Sequence, residues 1–482
     1  MVEKIKQIIN TKTLFIILSI LFAIPSTIYL IQNKSIVNFE SSFKFLLTNS
    51  ISRIDHTIVF FILFISITIL YFGIIKKHKE LFKNIKNIII FVAIITVLFA
   101  IILPFTSSDI FYYIGVGWLD SNYNQNPYYT SMSQYMEQNE LAQKDVMLLK
   151  GGDYWGEQTV VYGPIWQLFC KTFAWLSMGN IDIAFFIFKL VAVLIHIANT
   201  YLIYKITRKK VFPIIYGLNP FILLEAIANL HNDLYIIFFM LASIYFLLRK
   251  KNILLSVIIL AIATCIKYFT ILLLPFILIY YFRKEKSLAK RFINCIKYAL
   301  IFVVILIIPY IVYIQDVSIL KGIADQQGKY TKSIQTVMML NGFEQFEQLQ
   351  KMLIIGFAFL CIIVGINAIT KKQITLNFLI KRYNYLLYIF MFILITNFQP
   401  WYLMWLFPTM MLQNATALKQ IIGISITSQI ANCTFLAHGE NFKYSEQFVI
   451  IMAVGILISV IYSLKNKGVN FFERTVNSNR WK

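Results

Sequence analysis

Charged side chains are scarce in this sequence. Asp, Glu, Lys and Arg make up 14% of its 482 residues, whereas a soluble domain carries roughly 25%. Glycine and proline are also few, with 18 and 10 residues, which excludes collagen-like and low-complexity chains. Because 59% of the residues are hydrophobic, the composition excludes a soluble enzyme and predicts a polytopic membrane protein.

Cysteine pairs and nucleotide-binding motifs are absent as well. The five cysteines form no C-x-x-C pair, so we interpret them as small core residues rather than disulfides or metal ligands. There is no G-x-x-x-x-G-K-[ST] loop, no H-E-x-x-H and no D-x-D, and Gly115-Val116-Gly117 lacks the third glycine of a dinucleotide turn. These absences argue against an ATP-driven pump and a cytosolic nucleotide-sugar enzyme.

Long apolar runs, by contrast, occur throughout the chain. A spanning helix needs about 20 apolar residues. Fourteen candidate spans can be counted, several of them short, at 13–31, 58–75, 88–104, 181–204, 211–229, 234–248, 253–266, 269–282, 293–314, 352–369, 383–399, 402–413, 420–436 and 447–464. The predicted fold is therefore all-α, a polytopic transmembrane helical bundle of about 14 spans that forms one membrane domain over residues 1–482. The first run has a basic start like a signal peptide, but its length and the lack of an A-x-A site favour a retained anchor.

The net charge of +22 is distributed as a topology signal. If the N-terminus lies inside and the spans alternate, the inside segments hold 31 of the 44 basic residues, as the positive-inside rule requires. Flipping the orientation inverts this bias. We therefore predict no nucleic-acid partner, cytoplasmic N- and C-termini and, from the abundance of Lys and Ile, a bacterial plasma membrane.

Two long loops fall on the outer side in this topology, at 105–180 and 315–351. Long ordered loops in a compact protein are usually functional. Within the first loop, 131–150 reads as an amphipathic interfacial helix, and we interpret 161–178 as interfacial or re-entrant rather than as a further span. The second loop is a candidate lid over a substrate.

Several polar side chains stand where the membrane makes them costly. Asp109 follows the third span directly and is either a helix cap or a base, and residue type alone favours the cap. Pro220 interrupts a span, and Glu225, Asn229 and Asn232 share one helical face beyond it. That face leads to His231 and Asp233 at the outer end, a cluster that favours a functional role over a capped helix end.

Two lysines complete this set. Lys267 stands between two apolar half-runs at an outer boundary, where it either meets a lipid phosphate or snorkels to the interface. Lys189 belongs to a stripe with Asp182, His196 and Asn199 on one helix face, which we interpret as mainly structural. Lys189 is also a candidate counter-ion for Glu225.

Taken in order, these motifs resemble a known superfamily. The series comprises Ser108–Tyr113 after a span, Asn126–Tyr128 and Tyr162–Trp166 in the long outer loop, Asn219-Pro220 through His231-Asn232-Asp233, the outward Lys267, and Gln399-Pro400-Trp401-Tyr402. This order is similar to that of GT-C membrane glycosyltransferases, and within them to bacterial polyprenol-phosphomannose-dependent α-1,6-mannosyltransferases. The resemblance runs from about residue 88 to 410.

The resemblance implies a reaction and a set of roles. A hexose, mannose by analogy, passes by inverting displacement from a polyprenyl-phosphate sugar to a glycolipid, glycan or protein acceptor outside the cytoplasm. Asp109 takes the place of the catalytic base, and Lys267 and His231 are candidates for the donor phosphate. The residues expected to bind the sugar or the acceptor are Tyr112, Tyr113, Asn232, Asp233, Gln399, Trp401 and Tyr402, while Glu225 and Lys189 are structural. The donor is already activated, so no cofactor is expected, and the missing D-x-D motif predicts no essential metal.

Two alternatives remain open at this point. A transporter or lipid-linked glycan flippase would suit many spans and buried polar stripes, but should show repeated halves, and none is visible. An O-antigen ligase or polymerase would use a lipid-pyrophosphate donor and would usually carry basic residues in a large later outer loop, whereas 315–351 has four lysines but no arginine.

Overall fold

The computed structural model is built from helices. It describes residues 2–40, 44–48, 50–343, 345–371, 373–413, 415–439 and 442–465. Within these ranges the extended structure is limited to one isolated bridge between Thr331 and Asn397. The predicted all-α class is therefore confirmed.

The α-helices of the described residues are numbered in chain order. The first eleven are α1 (Val2–Asn33), α2 (Arg53–Leu81), α3 (Ile85–Ala100), α4 (Asp109–Asn122), α5 (Met132–Gln138), α6 (Val146–Trp155), α7 (Pro164–Leu176), α8 (Ile181–Thr207), α9 (Val211–Gly217), α10 (Pro220–Ile222) and α11 (Asp233–Tyr245). The others are α12 (Ile253–Thr264), α13 (Leu274–Tyr281), α14 (Leu288–Ile307), α15 (Lys321–Asp325), α16 (Ile334–Leu340), α17 (Phe346–Thr370), α18 (Leu376–Ile389), α19 (Phe407–Gln413), α20 (Ala415–His438) and α21 (Ser445–Lys465). Short 3₁₀ and π segments interrupt this series.

The chain divides into two compact units. The first unit contains Met1–Phe238 together with two later segments, Val312–Ala324 and Cys433–Glu440. The second unit contains Phe239–Ile311, Asp325–Asn432 and Asn441–Lys482. Each unit is described separately below.

Six helices of the described chain are long and apolar enough to cross a membrane. They cover Thr11–Asn33, Arg53–Leu81, Ile181–Thr207, Leu288–Val312, Glu347–Thr370 and Thr416–His438. The bent pair Val211–Gly217 and Pro220–Ala228 makes a seventh if its halves form one span. Shorter apolar helices coincide with several further candidates, and the total of fourteen spans stays a prediction.

The first long loop folds into four helices of the first unit, α4 to α7. The stretch 131–150 holds α5 and the start of α6 rather than one continuous interfacial helix, and α7 lies within 161–178. Three glycines let α4 approach its neighbours: a Cβ on Gly117 would collide with the Cys170 backbone of α7, and Gly115 meets Gly151 of α6. The paired glycines at 115 and 117 therefore serve helix packing.

A buried carboxylate holds the far end of α4. Asp120 accepts hydrogen bonds from Lys171 at 2.7 Å, from Gln167 at 3.2 Å and from the Tyr313 hydroxyl at 2.9 Å. Lys171 and Gln167 belong to α7, whereas Tyr313 belongs to the returning segment Val312–Ala324. This segment is thereby fastened to the first long loop.

The polar stripe of α8 binds the backbone of its neighbours. The Lys189 ammonium donates to the carbonyl oxygens of Ile102, Ile227 and Ala228 at 2.7–2.9 Å. Its three N–H groups are thereby used, which corrects the prediction that Lys189 is the counter-ion of Glu225. The other members of the stripe also bind neighbouring segments. Asp182 binds the turn at 35–36, His196 binds the Gly217 carbonyl, and Asn199 binds the Leu234 carbonyl.

Replacing Lys189 with methionine should destabilise the protein by about 2–3 kcal/mol, since methionine keeps the apolar stem but leaves three buried carbonyls without their donor. Thermal unfolding in detergent measures the loss. Lys205→Met, near the C-terminal end of the same helix and partly exposed, is the matched control and should change the midpoint little. Equal midpoints for the two variants would contradict the bridging role.

Candidate functional site

Asp109 begins α4, with its carboxylate partly accessible. The side chain is 15% exposed, and its backbone N–H donates to the Ser107 hydroxyl at 3.2 Å. A carboxylate in the first turn of a helix is stabilised by the helix dipole. The structure thus places Asp109 in the first turn of α4, after the N-cap residue Ser108, and leaves part of the carboxylate accessible.

The loop before Asp109 is attached to the broken span. The side-chain oxygen of Asn229 accepts from the backbone N–H groups of Phe105 and Thr106 at 3.2 and 3.3 Å. Its amide nitrogen donates to Glu225 at 3.3 Å. The polar face predicted from Glu225 and Asn229 therefore positions the segment that carries Asp109.

His231 lies between two carboxylates. Its Nδ1 is 3.5 Å from Asp109 Oδ2, and its Nε2 is 3.4 Å from Glu225 Oε2. The imidazole is fully buried; burial opposes its charge, but the contacts with Asp109 and Glu225 outweigh burial and raise its pKa above 6.5. Because both ring nitrogens face carboxylates, this geometry does not support the predicted phosphate contact of His231.

An irregular backbone turns His231 toward Asp109. After Asn219 caps α10, the chain forms a π-helix at Leu223–Ala228. Leu230 then adopts a left-handed conformation with a φ of 59°, which costs a non-glycine residue about 1–2 kcal/mol. Such strain is often found at functional sites.

The two tyrosines of α4 point to different partners. The Tyr113 hydroxyl lies 3.4 Å from Asp109 Oδ2 and 3.2 Å from the Tyr162 hydroxyl, while the Tyr112 hydroxyl donates to the Gln158 carbonyl at 3.4 Å. Both rings are buried, and burial raises the pKa of each hydroxyl, so both stay protonated. This geometry favours Tyr113 as a hydrogen-bond donor to Asp109 over sugar stacking by either ring.

Asn232 and Asp233 are fully buried at the start of α11. Within the described part of the chain, neither side-chain atom of Asn232 has a hydrogen-bond partner. Buried polar atoms are nearly always satisfied by protein, water or ligand. This amide is therefore compatible with the predicted contact to a sugar or acceptor hydroxyl.

A second cluster lies in the second unit around Lys267. The ammonium sits over the rings of Tyr402 and Trp405, at 4.7 and 5.1 Å from their centroids. These two rings stack at 4.4 Å, and Phe269 stacks on Trp405 at 3.8 Å. The structure therefore brings the predicted residues Lys267 and Tyr402 together as a cation–π pair.

Three neighbouring positions complete the description of this cluster. Trp401 is buried, and Gln399 donates to the Asn397 side chain at 2.7 Å. Sequence reasoning missed Trp405. Its spacing of three from Tyr402 was the available signal, because residues three apart align in the 3₁₀ helix that Pro400–Leu406 forms.

No group of three His, Cys, Asp or Glu side chains in the described ranges is arranged to hold a metal ion. The family model for the N-terminal domain of alpha-(1->6)-mannopyranosyltransferases, MptA_B_family, matches residues 19–283, more than half of the chain. No curated protein matches this chain, and no solved structure does. The matched region contains Asp109, Glu225, His231 and Lys267.

The raised pKa of His231 predicts a pH-dependent stability. Its contribution is full below pH 6.5 and is lost as the pH rises through the higher folded-state pKa. Unfolding midpoints measured from pH 6 upward should therefore fall more steeply for the wild type than for His231→Gln. The exposed His438→Gln serves as control and should follow the wild type, and parallel curves for all three proteins would count against the ion pairs.

Proposed function

Because the chain belongs to the alpha-(1->6)-mannopyranosyltransferase family, it is a glycosyltransferase, and we propose that it uses a polyprenyl-phosphate mannose as donor. The acceptor is a hydroxyl of a glycolipid, glycan or protein outside the cytoplasm. The observation that carries the proposal is the accessible Asp109 carboxylate, held by His231 and Tyr113 inside the matched region.

In the proposed step, Asp109 removes the proton of the acceptor hydroxyl. The hydroxyl oxygen attacks the anomeric carbon and forms the new glycosidic bond, while the bond from that carbon to the phosphate oxygen breaks with inversion. The phosphate leaves with the electron pair on its polyprenyl carrier. A positioned base contributes roughly 10²–10⁴-fold to such a reaction.

His231 and Tyr113 orient the base in this mechanism. The imidazole lies 3.5 Å from Asp109 and 3.4 Å from Glu225, so it connects the proposed base to a second buried carboxylate. The Tyr113 hydroxyl binds the same oxygen, Oδ2, so both side chains hold the carboxylate through one of its oxygens. We therefore assign His231 to the support of the base Asp109 and not to the binding of the donor phosphate.

Lys267 is the proposed phosphate ligand. Its ammonium lies over Tyr402 and Trp405, whose ring faces hold it in place. A cation of this kind stabilises the charge that develops on a leaving phosphate. Trp401 and Tyr402 remain the proposed contacts for the sugar ring, and Gln399 for its hydroxyls.

The proposed topology places both termini in the cytoplasm of a bacterial cell, with 14 spans and an outer active site. The excess of lysine and arginine in the inside segments supports it. An outward site fits a donor whose sugar is carried on a membrane lipid, since no cytosolic nucleotide is then needed at the reacting face.

Replacing Asp109 with asparagine should lower mannosyl transfer by about 10²-fold or more, because the amide cannot accept the acceptor proton. The assay is transfer from labelled polyprenyl-phosphate mannose in purified membranes. Asp153→Asn is the control, since this carboxylate of the same loop is 48% exposed and pairs with Lys150. Wild-type rates in the Asp109 variant would move the base elsewhere, and Asp233 would be tested next.

Lys267→Met should raise KM for the donor at least tenfold, because the phosphate loses a charged partner. Lys267→Arg keeps the charge and should recover much of the loss. Titration of the donor at saturating acceptor separates KM from kcat. An unchanged KM in Lys267→Met would show that the lysine does not bind the donor phosphate.

A further inference from the structure

An apolar groove opens in the second unit between α13, α14 and α17. Its volume is about 420 Å³, and its lining includes Leu278, Phe292, Cys295 and Ile366, with no charged side chain. Ile366 is 58% exposed. The candidate spans Leu288–Val312 and Glu347–Thr370 supply two of its walls, so its apolar lining suits the hydrocarbon of a bilayer.

A basic segment follows at one end of this groove. Arg283, Lys284, Lys286 and Lys290 lie in the turn between α13 and α14 and in the first turn of α14, with Glu285 as the one acid among them. Lys371 directly follows the last residue of α17. Positive charge therefore gathers where α13 and α17 end and α14 begins.

Arg291 connects the groove to this basic segment. Its guanidinium donates to the Ile369 carbonyl at 2.7 Å and to the Glu285 carbonyl at 2.8 Å. Ile369 lines the groove, and Glu285 lies among the basic residues. The charged segment is thus fastened against the mouth of the apolar groove, which gives one continuous surface with an apolar part and a cationic part.

We propose that this surface binds an anionic glycerophospholipid. One acyl chain occupies the groove between α13, α14 and α17, and the phosphate lies against Arg283, Lys284 and Lys290. The groove has no polar lining for a headgroup, and basic pockets at helix ends bind anionic headgroups. The complementary charge selects an anionic lipid over a zwitterionic one.

The position of Lys267 argues against the sugar donor as the occupant. Lys267 precedes the helical stretch 268–281, and the basic segment follows it. By helical rise, these two positive ends are roughly 24 Å apart. If the donor phosphate binds at Lys267, as proposed above, a different phosphate must occupy the other end.

Native mass spectrometry of the purified full chain tests the proposal by titrating phosphatidylglycerol, phosphatidylcholine and polyprenyl phosphate. We expect phosphatidylglycerol to bind at least tenfold more tightly than phosphatidylcholine. Lys284→Gln combined with Lys290→Gln should weaken phosphatidylglycerol binding by roughly 25-fold, at about fivefold for each lysine. The control removes the same charge from the exposed Lys76 and Lys79 of α2 and should have no such effect.

The groove itself is tested by filling it. A Cβ at Gly365 meets open space, so Gly365→Leu places its side chain where the acyl chain would lie and should weaken binding about tenfold. Gly356 lies on the same helix, also meets open space and does not line the groove, so Gly356→Leu should bind as the wild type does.

Three outcomes would overturn the proposal: equal binding of phosphatidylglycerol and phosphatidylcholine, equal binding by the two leucine variants, or tighter binding of polyprenyl phosphate that Gly365→Leu abolishes. The last would assign the groove to the donor tail. None of these measurements depends on transfer activity, so they stand apart from the test of Asp109.

Discussion

Backbone carbonyls that a broken helix leaves open in an apolar interior must find donors, since apolar side chains supply none. In the first unit, Lys189 satisfies this constraint at two breaks at once, after α3 at Ile102 and at the end of the π-helix at Ala228. These breaks precede Asp109 and His231. The positions of both site residues therefore depend on an ammonium group that contacts neither of them.

His231 also connects two acids, because its imidazole contacts Glu225 on one side and Asp109 on the other. A fully buried imidazole between two acids can remain protonated where an isolated one would lose its proton. Asn229 adds a neutral connection from Glu225 to the loop before Asp109. In the proposed mechanism, the base is therefore oriented by an acid that never meets the substrate.

Apolar runs predicted the helical class, because a backbone that crosses lipid must satisfy its own polar groups. The spacing of Glu225 and Asn229 predicted a shared face, which the structure retains across a π-helix. The partners of Lys189 could not be predicted, because they are carbonyls exposed only where helices break. His231 was assigned to a phosphate because its two carboxylate neighbours are distant in sequence or separated from it by an irregular turn. The ring stack on Trp405 could not be predicted, because the apolar run gives no sign that Pro400–Leu406 forms a 3₁₀ helix, in which residues three apart align.

The hydrogen bond between Asp120 and Tyr313 joins residues 193 positions apart. The first unit also includes Cys433–Glu440, so its native contacts are complete only after most of the polypeptide has been synthesised. Long sequence separations of this kind slow folding. During synthesis, the helices around Asp109 therefore keep part of their surface uncovered until the later segments arrive. The nascent protein is most vulnerable to misassembly and proteolysis in this interval.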